Sequence, residues 1–302
     1  MSSRLTAMMV DDCLHDPVLG AKVLLGYTVP PHFELRLWGM WLRPFMVDSS
    51  GFGTAKSLGI AIVSALRAIL IEGRVVGICS KTKAQGELVH QYFDRWIDSS
   101  AIFRSQVRIG TGGKLAATHG SSHWSTKFRN GSELRTITPD FARGAEKAGS
   151  EDWHDGMFDE WTKYPDINAF QRQLMTRVRK PVLPPYSAGD PIFANHIYMG
   201  GTAKYQWHPC YKIVKEYEEA MHKGSLDDEH QSWNYHHIPE KFRHLINLKN
   251  IIRLERDMAK DQVAQEIHGK WTRDSMGYYS TQDFEEARSD DVPVLTERPH
   301  EL

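Results

Sequence analysis

Two regimes of apolar patterning alternate along this chain. From Lys56 to Ile71 apolar residues fall on nearly every face, which predicts a helix buried inside a layered domain. Arg43–Asp48 before it and Arg74–Cys79 after it are short apolar runs of strand length. Lys81–Ile97 has helical spacing, with Leu88, Tyr92, Phe93 and Trp96 on one side. Trp124–Phe128 and Leu134–Thr138 flank Asn130 and Gly131, a strong hairpin-turn signal. Gly156–Asp159 reads as a strand ending in acids, and His196–Met199 as a strand running into Gly200 and Gly201. Residues 1–42 read as mostly helical, broken at Pro30 and Pro31. Strand, small-residue loop, helix, strand, helix is the order of a parallel α/β sheet.

Composition narrows the class. The 302 residues are 41% hydrophobic and 25% charged, the balance of an ordinary globular chain that needs no disulfides. With 37 Lys+Arg against 38 Asp+Glu the net charge is -1, which excludes a wholly basic nucleic-acid coat. The charge is uneven, however: residues 74–147 carry 12 Lys/Arg against 6 Asp/Glu, and residues 251–302 carry 7 against 12. Cys13, Cys79 and Cys210 lie far apart, a spacing that suits a reducing compartment and argues against a zinc ribbon. The longest apolar run, Leu58–Ile71, contains Arg67 and is too short to span a bilayer. The N-terminus has no charged-then-apolar signal pattern. The expectation is an intracellular protein, neither secreted nor in a membrane.

The sharpest chemical signal is the run Ser50, Gly51, Phe52, Gly53, Thr54, Ala55, Lys56, Ser57. A phosphate loop reads G-x-x-x-x-G-K-[ST]; here small residues, Ser50 and Ala55, replace both outer glycines. Small residues let backbone N–H groups point at phosphate, ahead of a helix N-terminus. Lys56 then suits the β- and γ-phosphates and Ser57 a Mg²⁺ ion. About 100 residues on, Asp159 and Glu160 end an apolar strand. In such ATPases the first acid serves the metal and the second polarises the attacking water. Taken singly, each motif is also compatible with an ordinary turn. In this order and context they predict an ATP-hydrolysing enzyme. Thr202, after Gly200 and Gly201, could place a hydroxyl beside the γ-phosphate, and a plain strand-end turn is the alternative there.

The ordered set resembles the ATPase domain of tailed-bacteriophage large terminases, the DNA-packaging motor subunits. The likeness runs over about residues 25–288. Pro31–Arg36 with Arg43 resembles the adenine-side segment, without its usual glutamine. The loop through Lys56 and Ser57, the strand at Val75–Ser80 with Lys81 and Gln85, and the turn at Asn130, Gly131 and Ser132 follow in order. Ala142–Gly144 resembles an arginine motif, Gly156–Trp161 the acid strand, Gly201–Ala203 the coupling motif, and Trp271–Tyr279 the linker after the ATPase domain. Residues 49–55 hold no arginine, where the family often has one, and the family's nuclease domain is expected to be absent from this chain.

The resemblance implies a P-loop NTPase fold of the RecA-like type with an added catalytic acid: a three-layer αβα domain on a mainly parallel sheet, with a small C-terminal lid. On this reading residues 1–42 cover the nucleotide, 43–205 form the ATPase core, 206–288 the lid or linker, and 289–302 a flexible tail. Lys56 and Ser57 would bind the phosphates of ATP, Ser57 and Asp159 would hold Mg²⁺, and Glu160 would be the catalytic carboxylate. Thr202 would couple hydrolysis to movement, and Arg143 would be a finger offered to a neighbouring subunit. Lys81, Lys83, Arg104, Arg108, Lys127 and Arg129 are candidate DNA contacts. The implied partners are double-stranded DNA, a portal or procapsid, a small terminase subunit and further copies in a ring, in the cytoplasm of an infected bacterium. The alternatives are a helicase-like or other DNA-dependent ATPase, and a nucleotide-binding assembly module without turnover.

Overall fold

The computed structural model describes residues 3–51, 53–119, 123–139, 152–222, 229–234 and 248–273. Three helices open the chain, α1 (Ser3–His15), α2 (Pro17–Leu24) and α3 (Pro31–Leu42). Asp16 caps α2 by accepting from the Val18 and Leu19 amides, and Pro31 starts α3, where a missing N–H does no harm. Next come β1 (Phe45–Asp48), α4 (Lys56–Leu70), β2 (Val75–Ser80), α5 (Lys83–Ser99) and α6 (Ala101–Gln106). Three strands follow, β3 (Ala117–His119), β4 (His123–Lys127) and β5 (Glu133–Ile137), then β6 (Asp155–Asp159). The chain continues through the helical turn α7 (Ile167–Ala169), β7 (His196–Gly200), α8 (Pro209–His222), β8 (His230–Trp233), α9 (Leu248–Asp257) and α10 (Lys260–Gln262).

The strands form one sheet in the order β3-β4-β5-β2-β6-β7-β1-β8. From β5 to β8 the neighbours are parallel, and only β3–β4 and β4–β5 are antiparallel. Every residue of β2, β6 and β7 is buried, as in a parallel sheet covered on both faces. One face packs Phe33, Trp41, Ile60 and Phe93 from α3, α4 and α5. The other packs Trp153, Phe158, Trp161, Phe170 and Tyr217. The structure is therefore the expected three-layer α/β domain.

Two expectations change. The core boundary at residue 205 falls inside the sheet, because β8 pairs with β1 through Phe45↔His230 to Asp48↔Trp233. On α5, Leu88 is 51% exposed while Val89 is fully buried. The buried row runs Val89, Phe93, Trp96 and Ile97, one position round from the expected one. The turn at Asn130–Ser132 does more than close a hairpin. The Asn130 side-chain amide donates to the Ala68 and Ile69 carbonyls, and the Ser132 hydroxyl donates to Ile71 O. These are the carbonyls that a helix end leaves without partners, so the turn caps α4 from outside. Residues 289–302 and the expected linker beyond Arg273 lie outside the described residues.

Candidate active site

The site assembles where β1, β6 and β7 end side by side. Asp48↔Gly200 and Asp159↔Gly200 are in register, so the loop after β1, the acid pair and the loop after β7 meet at one edge. The loop from Ser49 to Ala55 enters α4 through Ala55, which takes a left-handed conformation (φ 61°, ψ 33°). Consensus phosphate loops have glycine at this position, and alanine holds the same geometry at a cost of about 1–2 kcal/mol. Phe52 lies outside the described residues.

Lys56 is 7% exposed and turns back onto the loop, its Nζ donating to Ser50 O at 2.7 Å and Gly51 O at 2.9 Å. Burial draws its pKa down, against the pull of Asp48, Glu160 and Asp159. Ser57, at the first turn of α4, donates its hydroxyl to Asp159 Oδ2 at 2.9 Å across 102 residues of sequence. Asp159 is 3% exposed, and its other oxygen, Oδ1, has no hydrogen-bond partner among the described residues. Burial pushes its pKa up to about 6, with Glu160 adding to the rise and the Ser57 hydroxyl opposing it. A hydroxyl beside a half-satisfied buried carboxylate is the oxygen donor set that Mg²⁺ takes together with substrate phosphate. The residues present fit that ion.

Glu160 follows with a left-handed backbone (φ 52°) at the start of the turn Trp161–Lys163. Lys163 Nζ lies 2.9 Å from Glu160 Oε2. Thr202 is fully buried, and its Oγ1 has no hydrogen-bond partner among the described residues. The sequence-derived Lys56, Ser57, Asp159, Glu160 and Thr202 are thus brought to one place. Arg143 lies outside the described residues.

The six basic candidates are all exposed but do not form one surface. Lys81 and Lys83 follow the C-terminal end of β2, on the side of the acid pair. Arg108, Lys127 and Arg129 adjoin one another through Arg108 N–H to Lys127 O (2.8 Å) and Arg129 N–H to Gln106 O (2.9 Å), with Arg104 on the helix leading in. Lys127 pairs with Glu133, and Glu133 with Val75 at the start of β2. The two groups therefore sit at opposite ends of a strand about 20 Å long. Gln85 serves in the cap of α5, exchanging hydrogen bonds with Thr82.

Two partners of the loop were not legible in the sequence. Asp48, the last residue of β1, is buried against Arg36 of α3 (2.9 Å) and the Tyr198 hydroxyl (2.7 Å), and accepts from the Ser50 amide (2.9 Å). Burial alone would raise its pKa; Arg36, Lys56 and these donors hold it below the usual range. The segment after α10 packs on the loop itself. Trp271 donates its indole N–H to Ser49 Oγ at 3.1 Å, and a Cβ on Gly51 would come within 2.2 Å of Ile267 O. Only glycine fits there, which explains why one interior loop position must lack a side chain.

No family model matches the chain, and no curated protein matches it by sequence. Solved structures do. The large terminase ATPase domain of Thermus phage P74-26 aligns at TM-score 0.56 and 13% identity, over 85% of this chain and 99% of that one. A point mutant of the same domain aligns at TM-score 0.57 and 12% identity, over 85% and 100%. The large terminase of a second, thermophilic bacteriophage aligns at TM-score 0.52 and 12% identity, over 82% of this chain and 54% of that one. The chain therefore shares the fold of these ATPase domains and spans about half the length of the second phage's protein.

Proposed function

We propose that the chain is an ATP-hydrolysing motor unit of the large-terminase type, driving double-stranded viral DNA into a procapsid. The observation that carries the reading is the Ser57–Asp159 hydrogen bond at 2.9 Å with Glu160 as the next residue. It joins a phosphate-loop hydroxyl to an acid pair, the minimum equipment for nucleoside triphosphate hydrolysis.

In this reading Lys56 leaves the loop carbonyls and engages the β- and γ-phosphates of ATP. Ser57 and Asp159 hold Mg²⁺, which when bound neutralises charge on the phosphate oxygens. Glu160 orients and polarises the water that attacks the γ-phosphate. Thr202, whose buried hydroxyl has no hydrogen-bond partner among the described residues, registers the loss of that phosphate. Arg143 reaches the site of a neighbouring copy, so turnover depends on a ring; an arginine finger is worth on the order of 10³–10⁵ in rate. Duplex DNA, the portal and a small terminase subunit complete the assembly, in the cytoplasm of the infected host. No helix among the described residues is long and apolar enough to cross a membrane, which fits that setting.

The test is ATP turnover against protein concentration, with and without duplex DNA. We expect specific activity to rise with concentration, to drop at least 100-fold in Glu160→Gln, and to lose its concentration dependence in Arg143→Ala. ATP binding with no turnover under any condition would instead identify a nucleotide-binding assembly module.

A further inference from the structure

One side chain ties the turn carrying Glu160 to the loop after β7. Thr162 is 2% exposed, at the centre of the turn Trp161–Lys163, and donates its hydroxyl to Thr202 O at 2.9 Å. The contact is tight on its flank as well: a Cβ on Gly201 would lie 3.0 Å from both Thr162 Oγ1 and Trp161 Cδ1. The Gly201 amide in turn donates to Asp48 O at 2.9 Å, on the strand that leads into the phosphate loop. Thr162 is thus the hydrogen-bonded link in a continuous path from Glu160 to Gly201 and Thr202 and on to β1.

The backbone at Glu160 needs such a link. A glutamate at φ 52° sits in a conformation that a non-glycine residue keeps only when its surroundings enforce it. Of the residues in the turn, Thr162 holds a backbone group of another element through a buried hydroxyl. The Lys163 ion pair acts on the Glu160 carboxylate and the Lys163 amide closes the turn onto Glu160 O at 2.9 Å; both bonds lie within the turn and leave its attachment to the loop after β7 to Thr162.

Resting on the ATPase reading, we propose that Thr162 is a positioning residue: it aims the Glu160 carboxylate by anchoring its turn to the Thr202 carbonyl. A hydrogen bond to a main-chain carbonyl lets the turn follow any displacement of the Gly201–Thr202 loop, so the hydroxyl transmits that displacement to the carboxylate.

The experiment compares Thr162→Val, which keeps the branched shape and loses the hydroxyl, with Thr162→Ser, which keeps the hydroxyl and loses a buried methyl. Steady-state ATP turnover is read on the full chain, with Glu160→Gln as control, beside hydrogen exchange of a peptide covering 159–164. We expect kcat to fall at least tenfold in Thr162→Val with KM for ATP within twofold, and Thr162→Ser to stay within threefold of wild type. Exchange over 159–164 should quicken in Thr162→Val and hold in Thr162→Ser. A merely structural role would harm Ser as much as Val and would show as lost stability at unchanged kcat per folded site; that pattern, or wild-type kcat in Thr162→Val, overturns the proposal. If wild type and Glu160→Gln are equally inactive, the ATPase reading itself fails. Exchange then decides the anchoring alone, and an unchanged rate in Thr162→Val overturns it.

Discussion

The two ends of β6 carry buried carboxylates with opposite electrostatics. Asp155, at the entry, is fully buried and held by two arginines. Arg74 grips it through Nε (2.7 Å) and Nη2 (2.6 Å), Arg67 Nε forms an ion pair at 3.0 Å, and the His196 amide donates at 3.2 Å. Burial would raise its pKa, but these charges hold it well below the usual carboxylate range. Asp159, at the exit, has one hydroxyl donor, and burial pushes its pKa up to about 6. Arg67 and Arg74 also bind the Ala194 carbonyl, so the entry end is a closed ionic knot that fastens β6, α4 and the segment before β7. A carboxylate left short of partners at the exit is costly to the fold and available to a ligand. The contrast separates a charge fixed into the fold from one left open to a ligand.

The comparison can be broken at either end. Asp155→Ala strands two buried guanidiniums and should destabilise the protein by about 3–5 kcal/mol, measured by chemical denaturation. Asp159→Asn should do the reverse for stability, leaving it unchanged or raised by on the order of 1–3 kcal/mol, while turnover falls at least 100-fold; a large loss of stability would erase the distinction.

The pH dependence sharpens it. The folded protein holds the Asp159 proton more tightly than the unfolded chain does, since its pKa is raised from 3.8 to about 6. This group's contribution favours folding fully below about pH 4 and is lost as pH rises through about 6. The ionised form is the one that serves a cation. Protons and Mg²⁺ therefore compete for Asp159, and the Mg²⁺ concentration needed for half-maximal turnover should rise as pH falls below about 6, read from Mg²⁺ titrations at several pH values. For Asp155 the sign is opposite: its contribution is present above about pH 4 and is lost only in strong acid, as pH falls through its depressed folded value. The smallest effect belongs to Asp152, three residues before Asp155, whose ion pair with Arg179 is 44% and 60% exposed. Asp152→Ala should change stability by less than about 0.5 kcal/mol.

Where several motifs had to follow one another in one order, the sequence was readable. Lys56, Ser57, Asp159, Glu160 and Thr202 were singled out by a small-residue loop, two strand ends and their order, and the structure brings these residues to one edge of the sheet, while their roles belong to the proposal. Helix α4 was legible because its burial on all faces leaves no polar stripe to misread. Relations that depend on which strands become neighbours stayed hidden. His230–Trp233 carries two polar residues and two aromatic-ring residues, without the apolar run that marked β2, so its place beside β1 left no mark. The Arg67, Arg74 and Asp155 knot joins residues up to 88 positions apart, and nothing local marks them as partners. The six candidate DNA contacts share one basic stretch of sequence, yet the length of β2 divides them. Leu88 and Val89 differ by one helical position, finer than an apolar count on α5 can resolve.

The order of strands has a consequence for how the chain is made. β1 is the earliest strand in the sequence, yet its two neighbours are β7 and β8, through Phe45↔Ile197 and Phe45↔His230. A ribosome adding about 5–20 residues per second needs on the order of 10–40 s to travel from β1 to β8. Until β7 emerges, Phe45–Asp48 lacks both of its partner strands. Helices α1–α4, which contact one another locally, can gather around it first. The phosphate loop therefore leaves the ribosome well before the strands that flank β1, and takes its shape only after they arrive.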